Sequence, residues 1–164
     1  MSGSTVIALN GPLNAGKSHV GHALMKTLPD AHFIEGDDHG APADSPLEVR
    51  IGAAMTRLET HVLGMRCRWL IIAFPLRDED MARLRRAAEW RSADLYCVTL
   101  APPLAVTRTN RGERELTRRE QQRLVQMYEE GFDRREFSDL ILDNSHESVT
   151  GTVDRILAWL KTRE

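Results

Sequence analysis

Three groups of residues in this chain have the types and spacing to do chemistry. The first is Gly11-Pro12-Leu13-Asn14-Ala15-Gly16-Lys17-Ser18, which matches G-x-x-x-x-G-K-[ST] without deviation. Two glycines at this spacing permit a tight turn whose successive backbone N–H groups point inward, and such a nest binds phosphate oxygens. Lys17 adds a full positive charge near the β- and γ-phosphates, and the Ser18 hydroxyl suits Mg²⁺. The candidate contacts to a nucleoside triphosphate tail are Gly11, Asn14, Ala15, Gly16, Lys17, Ser18 and His19. The rings of His19 and His22 read as surface or packing groups. The second group is the acidic run Glu35-Gly36-Asp37-Asp38-His39. Transfer of a phosphoryl group to a hydroxyl needs a carboxylate that orients the acceptor and takes its proton. Asp37 is the first choice for that base and Asp38 the second, because neighbours along an extended chain point to opposite sides. His39 reads as a surface loop residue. The third group is arginine: Arg108, Arg111, Arg114, Arg118, Arg119 and Arg123 fall within one short span. Planar guanidinium groups stabilise the charge that builds on a migrating phosphoryl group. Arg108 and Arg111 are the leading phosphate contacts. The interleaved Glu113, Glu115 and Glu120 assign part of the span to ordinary surface pairing.

The elements that must hold these residues alternate. The apolar run 5–10 predicts a buried strand that ends at the first glycine, and 17–28 predicts a helix stopped by Pro29. Residues 31–35 predict a second strand. A long helix is expected from Leu47 to Met65, since Ile51, Met55, Leu58, Val62 and Met65 share one face. Residues 68–74 are too apolar for a half-exposed strand, so this strand is expected inside a parallel sheet. A helix over 78–90 has acids in its first turn, as the macrodipole prefers. Strand 94–100, a helix from Pro102 or Pro103 to about Thr109, a helix over 118–132, strand 139–144 and a last helix bearing Val153, Ile156, Leu157 and Leu160 complete the chain. Strands alternating with helices predict a three-layer α/β/α architecture with a five-stranded parallel sheet, and ligands of such sheets bind beyond the carboxyl ends of the strands. The cradle and the acidic run both fall at such ends.

Bulk properties narrow the class. The chain has 164 residues, 41% hydrophobic and 28% charged, which suits one domain over residues 1–164 with a real core. The formal charge of −2 gives no overall basic field, so neither nucleic acid nor a membrane surface is expected as a partner. Oligomeric state is not encoded in these features. Cys67 and Cys97 lack CxxC spacing and read as small apolar residues of a reducing compartment. With no run of about 18 apolar residues and no signal-peptide pattern, a cytoplasmic location is expected.

The cradle, the "FIEGDD" segment and the arginine span together resemble the small-molecule kinases of the P-loop fold, nearest to gluconate kinase and shikimate kinase, with chloramphenicol phosphotransferase close by. In those enzymes F-x-D-x-D or F-L-D-G-D closes the second strand. Phe33, Glu35, Gly36 and Asp37 occupy these places, so the family's acceptor-side aspartate lands on Asp37 and its other aspartate is here Glu35, with a magnesium-side role. The family's C-S-A-L is here Ala73-Phe74-Pro75-Leu76, and the glycine triplet of shikimate kinase is absent. The resemblance implies a short arginine lid at about 109–118 and a loop around Asn144 and Ser145 under the adenine. It also implies that Arg50, early in the long helix, clamps an anionic or hydroxylated acceptor, with Arg77 a weaker candidate. It thus implies Mg-ATP as cofactor and transfer of the γ-phosphate to a hydroxyl of a small metabolite or drug. The alternatives are a nucleoside or nucleoside monophosphate kinase, or a nucleotide-binding protein without catalysis. A GTPase is disfavoured because no N-K-x-D appears and no D-x-x-G follows the third strand.

Overall fold

The computed structural model describes residues 3–109 and 115–164. Five parallel strands, β1 (Thr5–Asn10), β2 (Ala31–Glu35), β3 (Trp69–Ala73), β4 (Asp94–Leu100) and β5 (Leu140–Leu142), form one sheet in the order β2-β3-β1-β4-β5. Among the described residues six helices follow the strands, two of them between β4 and β5: α1 (Lys17–Thr27), α2 (Leu47–Gly64), α3 (Asp78–Trp90), α4 (Leu104–Thr107), α5 (Arg118–Glu129) and α6 (Val149–Lys161). β1 runs between β3 and β4, with Ile7 beside Ile71 and Tyr96.

The period-2 alternation of the strands splits the core into two layers. Val6, Ala8, Leu70, Ile72 and Cys97 face α2 and α3, where they meet Met55, Leu58, Val62, Met81 and Leu84. Ile7, Leu9, Ile71, Ala73, Val98 and Leu100 face the other way, onto Val20 and Leu24 of α1 and Val153, Ile156 and Leu160 of α6. Every residue of β1 and of β3 is buried, as the unbroken apolar runs require of interior strands.

The expected elements are all present, several of them shorter at their ends. β5 spans three residues rather than six. The expected helix before the arginine span is one turn, α4, which begins after Pro103. α5 stops at Glu129, and Gly131 at φ 81° turns the chain away, a position where a side chain would be strained. α2 ends at Gly64, with Met65 extended as its cap. Thr117 caps α5 by accepting from the Glu120 N–H, and Ser148 caps α6 by accepting from Gly151. Among the described residues no helix is long and apolar enough to cross a membrane.

Candidate active site

Because all five strands are parallel, their carboxyl ends lie along one edge of the sheet, and the chemistry-bearing segments converge there. β1 ends at Asn10 and the cradle follows. Gly11 has φ 143°, and a Cβ there would lie 2.5 Å from the Leu100 carbonyl oxygen, so only glycine fits between β1 and β4. Gly16 at φ 98° leads into α1, and Ala15 is fully buried beneath the loop. The Lys17 Nζ donates to the carbonyls of Gly11 (3.0 Å) and Pro12 (2.7 Å), folding the side chain back over the turn. Burial pulls the Lys17 ammonium down to about 8, against the opposing pull of Asp37 and Glu35. A low-dielectric setting that disfavours a bare ammonium is one in which an anion at the same spot is held strongly.

The acids arrive from β2. The Ser18 hydroxyl donates to a Glu35 carboxylate oxygen, so the two groups expected on the magnesium side are in direct contact. Two adjacent hard oxygen donors fit Mg²⁺, which takes few protein ligands and completes its shell with phosphate oxygens and water. Among the described residues no cluster of three or more His, Cys, Asp or Glu could hold a metal by itself. Asp37 and Asp38 diverge at the turn that follows β2, where the Asp38 N–H donates to the Glu35 carbonyl, and not by the alternation of an extended chain. Asp37 lines a cavity of about 210 Å³ together with Lys17. Asp38 is 83% exposed and sits 3.7 Å from Arg57.

That cavity lies between α2, the loop after β3, and α5. Leu13, Leu47, Ile51, Phe74, Pro75, Met127 and Phe132 form its apolar walls, and Asp37, His39, Arg50, Arg77 and Arg123 its polar lining. Arg50 therefore lines the same cavity as Lys17 and Asp37, with Nε donating to the Ser45 carbonyl at 3.1 Å. Arg77 has a structural task as well. It is the N-cap of α3, binds Asp80 through Nε and Nη2, and reaches Glu48 and Glu79, and the Asp80 hydrogen bond raises its affinity for its proton. His39, expected on the surface, is half-buried at the cavity edge, and its Nδ1 accepts from the Ala41 N–H.

A second cavity of about 220 Å³ lies on the other side of the cradle, lined by Asn14, Gly16, His19, Val20, Asn144, Glu147, Val149 and Thr152. Asn144 is buried and donates through Nδ2 to the Ala15 carbonyl, which leaves its Oδ1 buried without a hydrogen-bond partner. Asn14 sits at φ 62° and its Nδ2 donates to the carbonyls of Thr107 and Thr109, tying the cradle to the segment that enters the arginine span. The Arg108 side chain is exposed at the end of α4. Arg111 and Arg114 lie outside the described residues. Arg123 belongs to α5, where it pairs with Glu130 and lies 5.8 Å from the centre of the Phe132 ring.

Two residues that position the site are not legible as such in the sequence. Arg57 donates to the Glu35 carbonyl at 2.7 Å and faces Asp38, so it braces the acidic run from α2. Its spacing of seven from Arg50 puts the two on one helix face, a signal that could have singled it out. Asn10 is fully buried. Its Oδ1 accepts from the Leu76 N–H (2.7 Å), and its Nδ2 donates to Thr99 Oγ1 (3.0 Å) and the Phe132 carbonyl (3.3 Å). It thereby locks two walls of the cavity that Asp37 lines to the end of β1.

Solved structures with a similar fold include a gluconokinase from Sinorhizobium meliloti 1021, at TM-score 0.77 and 20% identity over 98% of this chain and 93% of that one. The fold is that of the P-loop kinases. A shikimate kinase from Acinetobacter baumannii in complex with shikimate superposes at TM-score 0.71, 19% identical over 99% of this chain and 96% of that one. The Mycobacterium tuberculosis APS kinase in complex with AMPPNP and APS does so at TM-score 0.71, 20% identical over 98% and 99%. No family model and no curated protein sequence matches the chain. In the P-loop kinase fold of this chain, the expected cradle, acidic run and Arg50 occupy one edge of the sheet.

Proposed function

We propose that this protein is an ATP-dependent phosphotransferase acting on a hydroxyl of a small molecule. One observation carries the reading: Lys17, the charge of the phosphate cradle, and Asp37, a candidate base, line the same cavity. A nucleotide on the cradle places its terminal phosphate at the mouth of a pocket that can admit a second substrate.

In this reading the triphosphate lies on the N–H groups of the cradle with its base in the cavity beside Asn144. Mg²⁺ held by Ser18 and, directly or through water, by Glu35 would neutralise charge on the phosphate oxygens. Asp37 orients the acceptor hydroxyl and accepts its proton. The acceptor oxygen forms a bond to the γ-phosphorus, the β,γ-bridging P–O bond breaks, and ADP departs. Lys17 and the arginines Arg108 and Arg111 steady the phosphoryl group in transit. Asp38, turned toward Arg57, holds the acidic run in place and borders the acceptor.

The test is ADP release with ATP and a panel of hydroxylated acceptors. Asp37→Asn is expected to retain nucleotide affinity and lose turnover by about 10²-fold or more, the scale of general-base catalysis. Lys17→Ala is expected to weaken both binding and rate. Full turnover by Asp37→Asn would remove that residue from the mechanism.

A further inference from the structure

The cradle and the segment that carries Arg108 are fastened together by side-chain amides. Thr107, Arg108 and Thr109 each offer a backbone carbonyl, and each carbonyl is held by a residue from another segment. Asn14 Nδ2 donates to the Thr107 carbonyl at 2.9 Å and to the Thr109 carbonyl at 3.1 Å. Gln121 Nε2, from α5, donates to the Arg108 carbonyl between them at 3.0 Å. We infer that Asn14 is a positioning residue: with Gln121 it fixes the backbone bearing Arg108 beside the phosphate cradle, so that this arginine meets the triphosphate already in place. The role of Arg108 as a phosphate contact rests on the phosphotransferase reading above.

Two requirements select the residue type at position 14. Asn14 sits at φ 62°, in the left-handed region open to glycine and, among residues with side chains, most readily to asparagine and aspartate. Glycine would keep the turn and lose both bonds. Aspartate would keep the turn and set a carboxylate, with no hydrogen to donate, against two carbonyl oxygens. The asparagine amide nitrogen carries two hydrogens, one for each of the two carbonyls. The far side of the segment is constrained as well. Thr107 is fully buried, and its hydroxyl lies 3.0 Å from the Leu104 carbonyl and 3.2 Å from the Tyr128 hydroxyl, which donates to the Pro102 carbonyl. The cradle and α5 thus grip one short stretch of backbone from two directions.

The Arg108 side chain is exposed, so its backbone is what the protein holds. A contact group held before its ligand arrives spares the entropy cost of ordering it at the moment of binding. Without the Asn14 amide, two of the three carbonyls lose the donor it supplies, and the nucleotide itself has to order the segment.

The experiment is a double-mutant cycle on Mg-ATP binding, read by calorimetry with no acceptor present. In the wild-type background Arg108→Ala is expected to weaken binding about 10- to 100-fold, the scale for losing a hydrogen bond to a charged group. Asn14→Gly keeps the backbone conformation, removes the amide and is expected to weaken binding about tenfold. In the Asn14→Gly background the further loss on Arg108→Ala is expected to shrink to about threefold or less, the non-additivity of residues that act together. Gln121→Met, on α5 and outside the cradle, is expected to shrink the Arg108→Ala loss likewise, and it alone carries the cycle if Asn14→Gly does not fold. A residue that merely shaped the turn would leave the cost of Arg108→Ala the same in both backgrounds, and that additive result overturns the inference. So does an Arg108→Ala that binds ATP like wild type. Failure of the phosphotransferase reading shows differently: the cycle is non-additive, yet no hydroxylated acceptor yields ADP. A wild type that binds no ATP overturns both.

Discussion

Replacing Asn10 by alanine tests whether the buried amide at the end of β1 holds the site together. The side chain makes three hydrogen bonds with no solvent access, one received from the Leu76 N–H and two donated to Thr99 Oγ1 and the Phe132 carbonyl. Thr99 keeps a partner, because its hydroxyl is also 2.5 Å from that of Ser138. The Leu76 N–H and the Phe132 carbonyl lose the partner Asn10 supplied. At about 1–3 kcal/mol for each buried group left unsatisfied, with a small cavity added, Asn10→Ala is expected to cost about 3–5 kcal/mol. That is a large share of the roughly 5–15 kcal/mol that stabilises a domain. Urea unfolding followed by circular dichroism reads it as a lower midpoint at unchanged slope. Asn10→Asp separates the hydrogen bonds from the volume. It keeps the acceptor for Leu76 but sets a carboxylate against the Phe132 carbonyl oxygen, so its deficit is expected to be largest at neutral pH and to shrink in acid, where the protonated group can donate. A loss below about 1 kcal/mol for Asn10→Ala, within the range of ordinary surface substitutions, would refute the assignment of these bonds as structural.

Three further outcomes are expected. Arg77→Ala leaves the Asp80 carboxylate, 2% exposed, without its guanidinium partner, and should cost about 3 kcal/mol, the scale for breaking a buried pair; adding Asp80→Asn should recover part of the loss in the same unfolding assay. Burial pushes the Cys97 thiol up from 9.0 to about 12, so the folded chain keeps a proton that the unfolded chain gives up above pH 9. Stability should therefore fall between pH 9 and 12 by about 1.4 kcal/mol per pH unit from this group, and Cys97→Ala should remove that slope. Gly11→Ala should fail to bind nucleotide and unfold at lower temperature, because the added methyl meets a backbone carbonyl that no side-chain rotation can relieve.

The sequence alone determined the layers and the cradle. Continuous apolar runs in β1 and β3 could only be satisfied by burial on both faces, and two glycines before a lysine and a serine leave one sensible use for the turn between a strand and a helix. Helix faces were equally plain, since the residues at four-three spacing in α2 are the ones that pack on the sheet. The ends of elements were not so legible. β5 and α4 are short because their limits are set by which neighbour is available to pair or pack, and not by local propensity.

What only the tertiary structure decided is the company each charged group keeps. Arg50, Arg77 and Arg123 read alike along the chain, yet folding places three carboxylates around Arg77 and one at Arg123 and sets none against Arg50 among the described residues. Asp37 and Asp38 are adjacent in sequence, and the turn after β2 sends one to the cavity and the other toward Arg57. Asn10 reads as the polar end of a strand and turns out to be a buried junction between segments 66 and 122 residues away. Periodicity reports which side of its own element a residue occupies. Electrostatic and hydrogen-bond partners come from other elements, at separations that a local pattern cannot encode.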